Sequence, residues 1–147
     1  MTTERAHRLD QPTAAPVIER RRTCRALVVE DDVAIARLVH DVLERETFTV
    51  ETVRRGDEAI QLLKTIAYDL LILDLVLPRA SGEDVMTFLE DTQPNTLRRV
   101  IVMTASPRRL SCEFLERVCK ILTKPFDIDE LVLIARECAQ EPTLSCP

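Results

Sequence analysis

Three short runs, "CRALVVE" (24–30), "DLLILD" (69–74) and "LRRVIVMTA" (97–105), are almost wholly apolar at their centres and show no polar–apolar alternation. A strand apolar on both faces has to be covered on both faces, which is the situation of a parallel sheet sandwiched between helices. The segments between these runs carry helical periodicity instead. In "VAIARLVHDVLERE" (33–46) the apolar residues Ile35, Leu38, Val39 and Val42 recur at the spacing of one helix face. "GDEAIQLLKTIA" (56–67), "GEDVMTFLEDTQ" (82–93), "PRRLSCEFLERV" (107–118) and "DIDELVLIARECA" (127–139) read as four further helices. Asp127 is a good N-cap, Pro107 suits a first helical turn, and the acidic start of 82–93 complements the helix dipole. "TFTVETV" (47–53) alternates and is rich in β-branched residues, so it is a strand, and "CKIL" (119–122) is a short one.

Five strand–helix repeats imply an α/β fold: a doubly wound, five-stranded parallel sheet with helices on both faces. The regular pattern covers 24–140. Residues 1–23 are polar, hold Pro12 and Pro16, end in Arg20–Arg22 and read as a disordered tail; 141–147 form a short C-terminal tail. The 147 residues suffice for one domain with a sizeable core.

The net charge of −5 argues against nucleic acid as the main partner, since phosphate binding requires a basic surface. No apolar run approaches the ~20 residues that span a bilayer, and the N-terminus has no apolar signal region. The five cysteines, Cys24, Cys112, Cys119, Cys138 and Cys146, form no C-x-x-C pair and mostly lie among apolar residues. They are expected to be reduced, buried thiols in a reducing, cytoplasmic compartment.

In doubly wound sheets, ligands bind at the carboxyl ends of the strands, where strand order reverses. Those ends deliver Glu30, Asp31 and Asp32 from strand one, Asp74 from strand three, Thr104 from strand four, and Lys124 with Pro125 from strand five. Carboxylates crowded together disfavour one another's ionised form, so something must offset the repulsion; a cation is the obvious candidate, and an all-oxygen set suits a hard ion such as Mg²⁺. A carboxylate can attack phosphorus to form an aspartyl-phosphate. Phosphoryl transfer needs positioning and charge neutralisation above all, which the cation, Lys124 and the Thr104 hydroxyl would supply.

The stretches "LVVEDD", "LILDLVLPRASG", "VIVMTAS" and "ILTKPF", in that order and each at a strand end, resemble the receiver domains of two-component response regulators, of the CheY-like type. The resemblance spans roughly residues 24–140. It implies strand order 2-1-3-4-5 and makes Asp74 the phosphoacceptor. Asp31 becomes a direct Mg²⁺ ligand, with Glu30 near the metal, the backbone carbonyl of Val76 a further ligand, and Asp32 a helix N-terminal residue. Thr104 becomes the switch hydroxyl and Lys124 the partner of the phosphoryl group, followed by a Lys–Pro bond that is often cis. The implied partners are a histidine kinase or histidine phosphotransfer protein of a bacterial two-component pathway, and a protein target bound by the fourth helix, fifth strand and fifth helix. Such a domain promotes its own phosphorylation and dephosphorylation and is no turnover enzyme.

The chain departs from this pattern at Ile121, where receivers usually have Tyr or Phe, so read-out through a rotating ring is in doubt. Ala80 stands where a larger apolar residue is common, and "ERVCK" lacks the usual Gly-Ala turn before strand five. The few residues after 140 are too short for a DNA-binding module, so a stand-alone receiver is expected. The alternative is a phosphorylation-independent interaction module that keeps the fold, which Ile121 favours slightly. A phosphatase with an Asp nucleophile would need a second carboxylate at Val76. His40 falls on the polar side of the first helix and is expected to be exposed, without a role as phosphodonor; His7 carries no assignment.

Overall fold

The computed structural model describes residues 23–106 and 112–139. Its strands are β1 (Arg25–Val29), β2 (Thr49–Val53), β3 (Leu70–Asp74), β4 (Val100–Thr104) and β5 (Lys120–Thr123). They form one parallel sheet in the order β2-β1-β3-β4-β5, as expected. The helices are α1 (Val33–Arg45), α2 (Gly56–Thr65), α3 (Gly82–Thr92), α4 (Cys112–Arg117) and α5 (Ile128–Ala139).

Side chains of a strand alternate between faces, and each apolar run therefore feeds two cores. Leu27, Val29, Leu71, Leu73, Val100 and Val102 point to the layer filled by Ala59 and Leu63 of α2 and Val85, Met86 and Leu89 of α3. Ala26, Val28, Leu70, Ile72, Ile101 and Met103 point to the other, filled by Val39, Val42 and Leu43 of α1 and Leu131, Ile134 and Ala135 of α5. Every residue of β3 and β4 is buried, which explains why their sequences carry no alternation. Burying one such Leu or Val contributes roughly 1.5–3 kcal/mol, so the central strands are firmly held in the core. Their carboxyl ends are the rigid support of the site.

Caps fix where the helices begin. Asp32 accepts from the backbone N–H groups of Ala34 and Ile35 and so starts α1. Ser81 and Asp84 form a reciprocal capping box at the start of α3. Asp127 accepts from the Asp129 N–H, as an N-cap does.

Four expectations need correction. Residues Pro94–Arg99 form a 3-10 helix and β4 begins only at Val100; Pro94 favours a first helical position, and Leu97 turns inward from the short helix. Leu38 is 40% exposed, because the buried face of α1 runs through Ala36, Val39, Val42 and Leu43, rotated by about one residue from the face expected. His40 is half-buried beside Thr52 and Glu44. The cysteines are not all reduced: Cys119 and Cys138 form a disulfide, their Cα atoms 5.9 Å apart. The start of β5 lies against the last turn of α5, and apolar surroundings suit a disulfide as well as they suit a thiol. Most of 1–23, with Arg20–Arg22, Pro107 and the tail beyond 139 lie outside the described residues.

Candidate phosphoacceptor and cation site

The buried polar and charged side chains among the described residues are Glu30, Asp74 and Thr104, each at the carboxyl end of a central strand. β1, β3 and β4 bring them together from positions 30, 74 and 104, and β5 adds Lys124 from the sheet edge. Lys124 Nζ donates to Glu30 Oε1 at 2.9 Å and to Asp74 Oδ2 at 3.2 Å. The second oxygen of Glu30 accepts from the Asp32 N–H at 3.1 Å, and Asp74 Oδ1 accepts from the Val76 N–H at 3.2 Å. Thr104 Oγ1 accepts from the Ser106 N–H at 2.9 Å, which fixes its lone pairs and leaves its proton to donate. The Lys124–Pro125 peptide bond is cis.

Burial pushes the Glu30 carboxyl up from 4.5 to about 7. Hydrogen bonds from Lys124 and the Asp32 N–H oppose the rise, and the charge of Asp74 adds to it. Burial by itself would lower the Lys124 ammonium, but its bond to Glu30 and the charges of Glu30 and Asp74 outweigh burial, and it stands above its ordinary value. Lys124 is therefore the firmly charged member of the pair, and Glu30 is the member that changes protonation when its surroundings change.

Glu30, Asp31 and Asp74 each place a carboxylate oxygen within 4.8 Å of the other two. Three oxygens this close, two of them on buried side chains, match a hard divalent ion. The buried Glu30 carboxylate, poised between protonated and ionised, is the group such an ion would favour in its charged form. Asp31 is exposed, so the set opens to solvent on one side.

The glycines of the chain, two in number, both shape this region. A Cβ on Gly82 would lie 2.4 Å from the Asp74 carbonyl oxygen and 2.7 Å from Leu75 Cα; one on Gly56 would lie 2.0 Å from the Ala80 carbonyl oxygen. Only a residue without a side chain lets the start of α3 close onto the end of β3, and α2 onto the loop that joins them. Sequence reasoning missed both glycines, although "SGED" carries a readable capping box. It also missed a cavity of about 110 Å³ beside the acid cluster, lined by Val76, Glu83, Thr104, Ala105 and Ser106. Ile121 is half-buried on β5 and packs against the α2–α3 core layer.

Residues 26–136 match the response regulator receiver domain family. The chain belongs to that family. This receiver is 35% identical over 108 residues to the cell cycle transcriptional regulator CtrA of Caulobacter vibrioides, a match covering 74% of this chain and 47% of CtrA. It thus spans about half the length of such relatives. The receiver domain of the Francisella response regulator 1452 superposes with a TM-score of 0.73 at 28% identity, over 82% of this chain and 99% of that one. Response regulator TrrA of Thermotoga maritima, solved in complex with Mg²⁺ and beryllofluoride, superposes with a TM-score of 0.70 at 28% identity, over 78% and 98%. Among the described residues, no helix of this receiver is long and apolar enough to cross a membrane.

Proposed function

We propose that this receiver accepts a phosphoryl group on Asp74 from a phosphohistidine of a histidine kinase or histidine phosphotransfer protein, in a Mg²⁺-dependent reaction. The observation that carries this reading is the placement of Asp74, Thr104 and Lys124 at the carboxyl ends of adjacent strands, with Lys124 bonded to Asp74 and with Glu30 and Asp31 beside Asp74. Glu30, Asp31 and Asp74 would hold the ion, with the Val76 carbonyl a further ligand by family resemblance. When bound, Mg²⁺ supplies charge neutralisation to the phosphoryl oxygens.

The protein's own groups do the rest. The Val76 N–H and Lys124 hold the Asp74 carboxylate from both oxygens and fix its aim. A carboxylate oxygen forms a bond to phosphorus, the phosphorus–nitrogen bond of the donor breaks, and the imidazole leaves with the bonding electron pair. Lys124 then shifts its charge to the transferred oxygens. Thr104 lines the adjoining cavity, and its hydroxyl, which accepts from the Ser106 N–H, keeps a proton to donate to one of them. Water later releases the phosphate, so the domain turns over its own phosphate and no separate substrate.

We further propose that it works in the cytoplasm and signals through protein contacts of α4, β5 and α5, without DNA binding of its own. The test is transfer of radiolabelled phosphate from autophosphorylated histidine kinases of the host. One kinase should label the wild type rapidly and leave Asp74→Asn unlabelled. Failure of every kinase and phosphotransfer protein to label the wild type would favour a phosphorylation-independent interaction module.

A further inference from the structure

We propose that Cys119–Cys138 is a reversible thiol–disulfide site, entered through Cys119, that sets how firmly the end of α5 is held to the sheet. It goes beyond phosphoryl transfer and does not depend on Asp74.

The two sulfurs are differently placed. Cys138 sits in the last turn of α5 with no exposed surface, within the core layer of Leu122, Leu131 and Ile134. Cys119 is half-buried, and its backbone N–H is tied to the Val100 carbonyl at 2.9 Å, at the start of β4. It also lines an open cavity of about 710 Å³ between the 3-10 helix, the end of α4 and the end of α5. Arg98, Arg117 and Lys120 line that cavity with Glu116 and Glu137. Cations beside a sulfur favour the thiolate form of an attacking thiol. An incoming thiolate therefore has one sulfur to reach, that of Cys119.

The chemistry balances with a thiol as co-reactant, either a small monothiol of the glutathione class or a dithiol protein. The thiolate forms a bond to Cys119 Sγ, the Cys119–Cys138 bond breaks, and Cys138 leaves as a thiolate that takes up a proton. A second thiolate then attacks the sulfur of the first, forming the external disulfide, and Cys119 leaves as a thiolate that takes up a proton. The protein disulfide is reduced by two electrons, and two thiols are oxidised to one external disulfide. The reverse sequence reforms the bond.

Reduction would loosen a particular element. The bond closes a loop across a sequence separation of 19, from the edge strand to the last turn of α5. Besides the apolar burial of Ala135 and Cys138, that turn is held by ion pairs from Arg136 to Glu46 and from Lys120 to Glu137. Two thiols in place of the disulfide leave the core composition intact, so the fold persists while the end of α5 opens more readily.

The test uses the full chain in glutathione buffers of stepped ratio, quenched with N-ethylmaleimide and mapped by peptide mass spectrometry. At the oxidising end a Cys119–Cys138 linked peptide should dominate; at the reducing end both thiols should be alkylated, and the change should reverse. The oxidised form should melt higher by roughly 6–12 °C, the effect expected of closing a loop this long in a domain this size. Amide exchange in the last turns of α5 should be faster when reduced. A variant with Cys24→Ser, Cys112→Ser and Cys146→Ser should behave identically, and Cys119→Ser should abolish both the linked peptide and the melting shift. Two alkylated thiols at the oxidising end, a link to a different cysteine, or a bond that survives the most reducing buffer would each overturn the proposal.

Discussion

Lys124 and Glu30 are 94 residues apart in sequence, yet Nζ and Oε1 meet at 2.9 Å across a site in which Glu30 is 1% exposed. The sheet order explains the meeting: β1 is separated from β5 by β3 and β4, and a lysine side chain just beyond β5 spans the intervening strand ends. One ammonium thus balances two buried carboxylates, Glu30 and Asp74. The same ammonium is the one proposed to meet the transferred phosphate, so structural and chemical roles fall on a single group.

Removing that charge strands both carboxylates. Lys124→Met is expected to lower stability by about 3 kcal/mol near neutral pH, the usual consequence of breaking a buried pair. The loss should shrink in acid, where Glu30 protonates, and should be partly recovered in Lys124→Met/Glu30→Gln. Denaturant unfolding of the three proteins measures this. Equal stability of wild type and Lys124→Met would contradict a pairing role.

Glu30 makes stability depend on pH. Its folded value of about 7 lies above the ordinary 4.5, so the folded form binds more protons than the unfolded form between those values. Stability from this group is present in full below 4.5 and is lost as pH rises through 7, with a total of about 3 kcal/mol for a shift of that size. Measured against Glu30→Gln, the metal-free wild type should therefore weaken from about pH 5 to about pH 8. Millimolar Mg²⁺ should remove the trend, because the ion competes with the proton for the carboxylate. Asp31→Ala should lose the response to Mg²⁺ while gaining metal-free stability, as one repelling charge is gone. A melting temperature indifferent to Mg²⁺ would count against the cation site.

Gly82→Ala should act on the site through the backbone. The added carbon would meet the Asp74 carbonyl oxygen and Leu75 Cα, neither of which can swing aside. We expect a loss of about 1–3 kcal/mol, as for overpacked cores, together with slower phosphorylation as Asp74 is displaced. Gly56→Ala meets the Ala80 carbonyl instead and should cost similar stability with a smaller effect on phosphorylation. If Gly82→Ala kept wild-type stability, the close approach of α3 to β3 would be wrong.

Ile121 is expected to limit the switch. It is half-buried against the α2–α3 core layer and has no ring to exchange with a moving Thr104. Phosphorylation should change affinity for a protein target toward the low end of the usual coupling range of roughly 5–150-fold. Target binding with and without beryllofluoride measures it. A change beyond about a hundredfold would show full switching without the ring.

Much of this architecture was legible because the sheet is covered on both faces. Unbroken apolar runs announced β1, β3 and β4, and the residue after each run named Glu30, Asp74 and Thr104 as the groups the fold would bring together. Asp127 is readable as a cap because its side chain answers to a neighbour in the chain. What stayed hidden depends on distant partners. Nothing local to Cys119 announces Cys138, and nothing local to Gly82 shows that the Asp74 carbonyl lies where its side chain would be. Leu38 misled because helix periodicity fixes a face only to within a residue when Ala36 and Leu43 can border it on the other side. Residues 97–99 of the 3-10 helix read as strand because Leu97 and Val100 share apolarity without sharing a conformation.

The central claim is that Asp74 is a phosphoacceptor that works with Mg²⁺, and intact-mass measurement after incubation with acetyl phosphate tests it most directly. The wild type should gain the mass of one phosphoryl group with Mg²⁺ present and none when the ion is chelated, and Asp74→Asn should gain none in either case. A phosphoryl adduct that persists in Asp74→Asn, or forms equally without Mg²⁺, would contradict the account.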